Sequence, residues 1–170
     1  MSHFFLDSPF NIRWSELTPD RVEPDITEAL ARAQRALDAI SGQDRERLTF
    51  DSVVNAYDTA TQDLHEAWIL VAHLDAVCNS PAQRKAYNAM LPRISAFSAG
   101  IPLNAALWDM VLTYSASDAA NALDPVRKRA VDELVATFRQ QGADLPPEKK
   151  ARLEALEAGL RVNEDSAHDA

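Results

Sequence analysis

Val54, Tyr57, Thr61, Leu64, Trp68 and Val71 recur at intervals of three, four, three, four and three residues, and no other feature constrains the fold of this chain as tightly. At 3.6 residues per turn the six side chains fall in one row along a helix, whereas a strand would scatter them over both faces. A row of this kind needs a facing helix. The pattern runs on through Leu74 to Cys78, and Thr49 can cap its start. A similar stripe precedes it: Ile26, Leu30, Ala33, Leu37 and Ile40 follow Pro24, which suits a first helical turn, and Ser41-Gly42 supplies a stop. With only four glycines in 170 residues, long helices are favoured over turn-rich sheets.

The two halves of the middle of the chain meet at a corner. Asn79 suits the left-handed closure of one helix, Ser80 the cap of the next, and Pro81 its first turn. Gln83 completes a Ser-x-x-Gln capping box. The helix from Pro81 carries Tyr87, Met90, Leu91, Ile94 and Phe97 toward Gly100, and Pro92 inside it predicts a kink or break near Asn88 to Leu91. Pro102 can open a fourth helix with Leu103, Leu107, Trp108, Val111 and Leu112 as its packing face, and Ser115 to Asp118 read as a loop. Asp124-Pro125 is a cap followed by a first-turn proline; Val131, Leu134, Val135 and Phe138 form the next face, and Gly142 ends it. A last helix starts at Leu145-Pro146-Pro147-Glu148 and turns Leu153, Leu156 and Leu160 inward.

The expected architecture is therefore all-α, a roughly six-helix antiparallel bundle-like domain over 24–162. Residues 1–23, with Phe4, Phe5, Phe10, Ile12, Trp14 and Leu17 among prolines, are expected to form an extended N-terminal arm laid on the body. Residues 163–170 read as a disordered acidic tail.

A composition that is 46% hydrophobic and a net charge of -9 suit one domain, burying roughly 70% of its unfolded surface. The acidic balance argues against nucleic acid and anionic membranes as partners, since both require clustered Lys and Arg. The first residues have no basic region and their apolar run stops at Asp7, so they do not read as a signal peptide. No apolar segment reaches the roughly 18–20 residues of a membrane span. Cys78 is the single cysteine, which rules out an intrachain disulfide and points to a reducing, cytoplasmic home, with Cys78 itself a small core residue near a helix end.

Chemistry-bearing residues do not converge in the sequence. His65-Glu66 begins like the His-Glu-x-x-His helix of zinc peptidases, but position 69 is Ile69. His65 and His73 are about two turns apart, too far along the axis to share one metal, and His3 and His168 lie in the two end segments. Cys78 has no evident base beside it. Asp124 and Glu133 read as a helix cap and a surface residue before an acid–base pair, and Trp68, Trp108 and Tyr87 as packing residues before a ligand cage. Asp75 falls on an apolar stripe, so its carboxylate belongs at a rim or beside a basic partner. No catalytic or metal residue is assigned, and substrate-binding residues are left open.

The run from Ala72 to Tyr87, followed by Leu91-Pro92 and Ser95-Ala96-Phe97-Ser98, resembles the N-terminal helical region of the thimet oligopeptidase and oligopeptidase A family of zinc metallopeptidases. Leu17-Thr18-Pro19-Asp20-Arg21-Val22-Glu23-Pro24-Asp25-Ile26 resembles the family's opening segment. Lys128-Arg129-Ala130-Val131, together with Phe138 to Lys149, resembles the helix-turn-helix that precedes its catalytic part. The resemblance spans about Trp14 to Leu160 and implies a mostly helical wall of a deep channel in which short peptides are cut with one zinc ion. The family's zinc ligands and general base come from a downstream His-Glu-x-x-His helix and a later glutamate, so no cofactor is expected in this chain itself. The resemblance implies the catalytic domain of a parent peptidase as partner, with short peptides bound only by the full enzyme. Either the chain is a piece of such a peptidase, or it is a short protein keeping only the helical part and serving as a free-standing interaction module. An independent hydrolase with a novel site is a third reading.

Overall fold

A computed structural model describes residues 3–7, 11–78, 80–153 and 155, and every regular element among them is helical. Helix α1 spans Pro19–Ser41, α2 Ala56–Ala60, α3 Gln62–Cys78, α4 Pro81–Leu103, α5 Ala105–Ser115, α6 Asp118–Asn121 and α7 Pro125–Gln140. Short 3-10 turns cover Trp14–Glu16 and Arg45–Arg47, a π turn over Asp51–Asn55 leads into α2, and helical backbone resumes from 147 to 153. The all-α expectation holds. Asn79, Leu156, Leu160, His168 and the tail 163–170 lie outside the described residues.

The chain divides into two compact units, Met1–Leu37 with Asp58–Ser95, and Asp38–Tyr57 with Ala96–Ala170. In the first, α1, α3 and α4 pack around Val22, Ile26, Ala29, Ala33, Leu64, Ala67, Val71 and Met90, all at most 5% exposed. Trp68 meets Tyr87 and Asp75 meets Arg84 across the α3–α4 pair, so the two helices run antiparallel from their shared corner. The N-terminal segment folds back onto α1: Phe5 is buried, and its backbone N–H donates to Asp25 Oδ2 at 2.9 Å. In the second unit, α5 packs on α6, α7 and the π turn, burying Val53, Leu107, Val111, Tyr114, Val131 and Phe138.

Several boundaries differ from the sequence expectation, each for a packing reason. Helix α1 begins at Pro19, not Pro24, and Pro24 sits inside it. Val22, Asp25, Ile26 and Ala29 share one buried face, and that burial outweighs the single backbone hydrogen bond that Pro24 forfeits. The predicted break at Pro92 is absent. Pro92 faces solvent between the buried Met90 and Ile94, and α4 continues through Gly100 and Pro102 to Leu103. What separates α4 from α5 is Asn104, whose Oδ1 accepts the N–H groups of Ala106 at 3.0 Å and Leu107 at 3.1 Å.

The long row from Val54 to Val71 is interrupted by one turn residue, Thr61. The π turn adds a residue and rotates the face, so Val53 is fully buried where Val54 was expected, and α3 buries Leu64, Ala67, Val71 and Leu74. The stretch expected as a loop after Ser115 contains a further cap: Ser117 Oγ accepts Ala120 N–H at 3.1 Å and starts α6. Asp124 caps α7 as its sequence predicts, its Oδ1 accepting from Val126 at 3.0 Å and Arg127 at 3.1 Å.

Candidate functional site

At the α3–α4 corner Ser80 Oγ accepts the Gln83 N–H at 3.1 Å, and Pro81 opens α4. The reciprocal arm of the capping box is not made. Gln83 is only 3% exposed, and its Nε2 instead donates to the Val71 carbonyl at 3.3 Å, because a buried amide must find its partner inside the protein. Asp75 is buried and ion-paired with Arg84, Nη1 to Oδ2 at 3.2 Å, as expected for a carboxylate on an apolar stripe. Among the described residues its Oδ1 has no hydrogen-bond partner. Further from the corner, about two turns from Asp75 along α3 and one turn from Arg84 along α4, Trp68 stacks on Tyr87 with ring centroids 4.9 Å apart. The carboxylate of α3 and the guanidinium of α4 are engaged with each other across the corner. The corner therefore acts as a clamp that sets the register of two helices.

A second polar cluster lies at the C-terminal end of α7. Trp108 Nε1 donates to Asp144 Oδ1 at 3.1 Å, Arg139 Nε donates to Asp144 Oδ2 at 3.0 Å, and the Arg139 guanidinium lies 5.9 Å from the Trp108 ring centroid. Beneath them Trp108 stacks on Phe138 at 5.6 Å and Tyr57 tilts against the same ring at 5.3 Å. A surface groove of about 510 Å³ lined by Ser115, Asp132, Val135, Ala136, Arg139 and Gln140 opens beside this cluster. Its two charged groups are already engaged: Asp132 with Lys128 at 3.5 Å, Arg139 with Asp144.

Burial raises the phenol pKa of Tyr57 and of Tyr114 above the ordinary 10.0; at Tyr114 the Arg127 charge opposes that rise and Asp51 adds to it. An acid whose pKa is higher in the folded state holds its proton more tightly there, so its stabilising contribution is intact below the unfolded value and lost as pH rises through the folded one. Urea midpoints measured from about pH 8 to 11 are expected to hold steady and then fall above about pH 10. Tyr57→Phe is expected to flatten part of that fall, and an unchanged alkaline slope would show that Tyr57 ionises as freely folded as unfolded.

The remaining sequence candidates stay apart. His65 and Glu66 are exposed on α3 with Ile69 in the place of a second histidine. His73 is exposed and lies against Trp14, ring centroids 5.3 Å apart. His3 is not in a free tail: its Nδ1 meets Asp25 Oδ1 at 2.9 Å. Cys78, expected in the core, is exposed, because the buried stripe of α3 ends at Leu74 and Asp75 and the last turn extends past it. Asp124 is occupied as a cap and Glu133 pairs with Arg129 at 3.3 Å, so they form no acid–base dyad. Trp108 is buried as expected, while Trp68 and Tyr87 are half-buried packing residues.

Among the described residues no three His, Cys, Asp or Glu side chains gather as a metal site would require, so the donor set does not fit zinc. None of the described helices is long and apolar enough to cross a membrane. The buried Asp25 escaped sequence reasoning. Its signal was present, since residues 22, 25, 26 and 29 share a face once the helix is started at Pro19. The Arg139–Asp144–Trp108 cluster had no local signal, its members being brought together only by the turn at Gly142.

Residues 26–150 match the family model described as Neurolysin/Thimet oligopeptidase, N-terminal domain. The chain is 27% identical to Oligopeptidase A of Salmonella typhimurium over 139 residues, covering 82% of this chain and 20% of the relative. It is 27% identical to Oligopeptidase A of Escherichia coli over 146 residues, 85% of this chain and 21% of the relative. Against Oligopeptidase A of Haemophilus influenzae the identity is 23% over 147 residues, 86% of this chain and 21% of the relative. The chain thus spans about a fifth of the length of these relatives.

Proposed function

This chain belongs to the neurolysin/thimet oligopeptidase family through that family's N-terminal domain, and from that premise we propose that it is the non-catalytic helical part of an oligopeptidase A-like peptidase. In this reading it forms one wall of a channel that admits short peptides and shuts out folded proteins. The zinc ligands, the general base and the reacting water belong to the catalytic part that makes up the rest of such an enzyme, and the cytoplasm is its compartment. One observation carries the reading: the match to the N-terminal domain covers residues 26–150, while relatives named as oligopeptidases are about five times longer than the matched part.

The test is a chimera in which this chain replaces the matching N-terminal fifth of Escherichia coli Oligopeptidase A. The chimera is expected to hydrolyse a short peptide and to spare a folded protein, and the chain alone to hydrolyse neither. Zinc-dependent turnover by the chain alone, or a folded chimera with no peptidase activity, would overturn the proposal. The competing reading, a free-standing interaction module, gains from the second outcome and loses from an active chimera.

A further inference from the structure

The middle of helix α3, from Ala67 to Leu74, carries apolar side chains on both its inner and its outer face, with His73 the one polar residue. Its inner face, Leu64, Ala67, Val71 and Leu74, is buried in the first unit. Its outer face carries Ile69, 51% exposed, and Val77, 61% exposed, with His73 midway between them. Residues four apart stack one above the next along a helix, so the three side chains form a single ridge about 12 Å long. Trp14, 45% exposed, lies against His73 and widens it. From Ala67 to Leu74 the helix has no Asp, Glu, Lys or Arg, in a chain that is 25% charged. A helix facing water on one side normally places charges there, and one apolar on both sides is covered on both sides in a larger body.

We infer that the Trp14, Ile69, His73 and Val77 ridge is the seam against which the catalytic region of an oligopeptidase packs, an assignment that rests on the function proposed above. Two observations select that occupant. In the relatives the matched part is about a fifth of one continuous polypeptide, so the covering surface is tethered at high local concentration and a modest ridge suffices to seat it. A second copy of this chain is disfavoured because each copy has a net charge of -9 and the two repel.

Cys78, exposed and adjacent to Val77, reports on the ridge without altering it. In the chimera, maleimide labelling of Cys78, read by mass spectrometry of its peptide, is expected to be at least tenfold slower than in the isolated chain. The double substitution Ile69→Glu with Val77→Glu is expected to restore fast labelling and cut peptide turnover at least tenfold, without moving the melting temperature of the isolated chain. Val126→Glu, at a site 79% exposed in the other unit, is expected to change neither. An active chimera whose Cys78 labels as fast as in the isolated chain overturns the seam and leaves the proposed function standing. A folded but inactive chimera overturns both. A dimer of the isolated chain that Ile69→Glu dissolves would seat a second copy on the ridge and overturn the seam. Should the chimera aggregate, the same labelling comparison on the full chain mixed with the remaining part of the Escherichia coli enzyme at the roughly millimolar concentration that a tether supplies decides the question: protection of Cys78 supports the seam and its absence overturns it.

Discussion

Phe138→Ala is expected to cost about 3–5 kcal/mol of folding stability, the range for removing a fully buried aromatic ring. Phe138 is at 0% exposure, stacks on Trp108 at 5.6 Å and meets Tyr57 at 5.3 Å, so deletion of its ring strips a neighbour from each of two other aromatics and leaves a cavity between them. The loss would be a large fraction of the roughly 5–15 kcal/mol that holds a domain of this size together. Urea denaturation followed by circular dichroism measures it, and the near-ultraviolet signal of Trp108 is expected to weaken even in the folded variant. Phe138→Leu retains most of the volume and is expected to cost less than half as much. A loss below about 1 kcal/mol for the alanine variant would contradict the packing described for this unit.

Gly142→Val is expected to be the next most damaging change, at about 2–4 kcal/mol, combining left-handed strain with overpacking. Helix α7 ends in a Schellman motif: Ala143 N–H donates to the Phe138 carbonyl at 2.9 Å, and Gly142 N–H donates to the Arg139 carbonyl at 3.0 Å. That closure requires the φ of +94° seen at Gly142, which a β-branched residue adopts only with strain. An added Cβ would also lie 2.9 Å from a methyl of Leu153 and 3.0 Å from one of Leu145. Gly142→Ala shares the backbone strain without the second branch, so the difference between the two variants measures the crowding separately. Equal stability of Gly142→Val and the parent would mean that α7 ends in some other way.

The candidate sites show where sequence reasoning reaches its limit. Ser80, Pro81 and Asp124 were legible because capping is local, with donor and acceptor within three residues of each other. Asp75 was legible as a carboxylate on an apolar stripe, which must find a cation, and Arg84 supplies it across the corner. Gln83 was misjudged because a capping box and an inward hydrogen bond compete for one amide, and burial against Val71 decided between them. Cys78 was misjudged because helical spacing says which face a residue occupies and nothing about whether the opposing surface extends that far.

From the sequence alone came the all-α class, the apolar faces of α1, α5 and α7, the Ser80 and Asp124 caps and the stop at Gly142. Each rests on interactions spanning at most about one helical turn or on a periodicity that no strand can share. Tertiary structure alone decided that α1 would absorb Pro24, that α4 would run through Pro92 and Pro102, that Asp25 would anchor the N-terminal segment, and that the outer face of α3 would be left uncovered. Beyond the first turn a proline costs a helix one backbone hydrogen bond, and the apolar area buried on either side of it determines whether the helix continues.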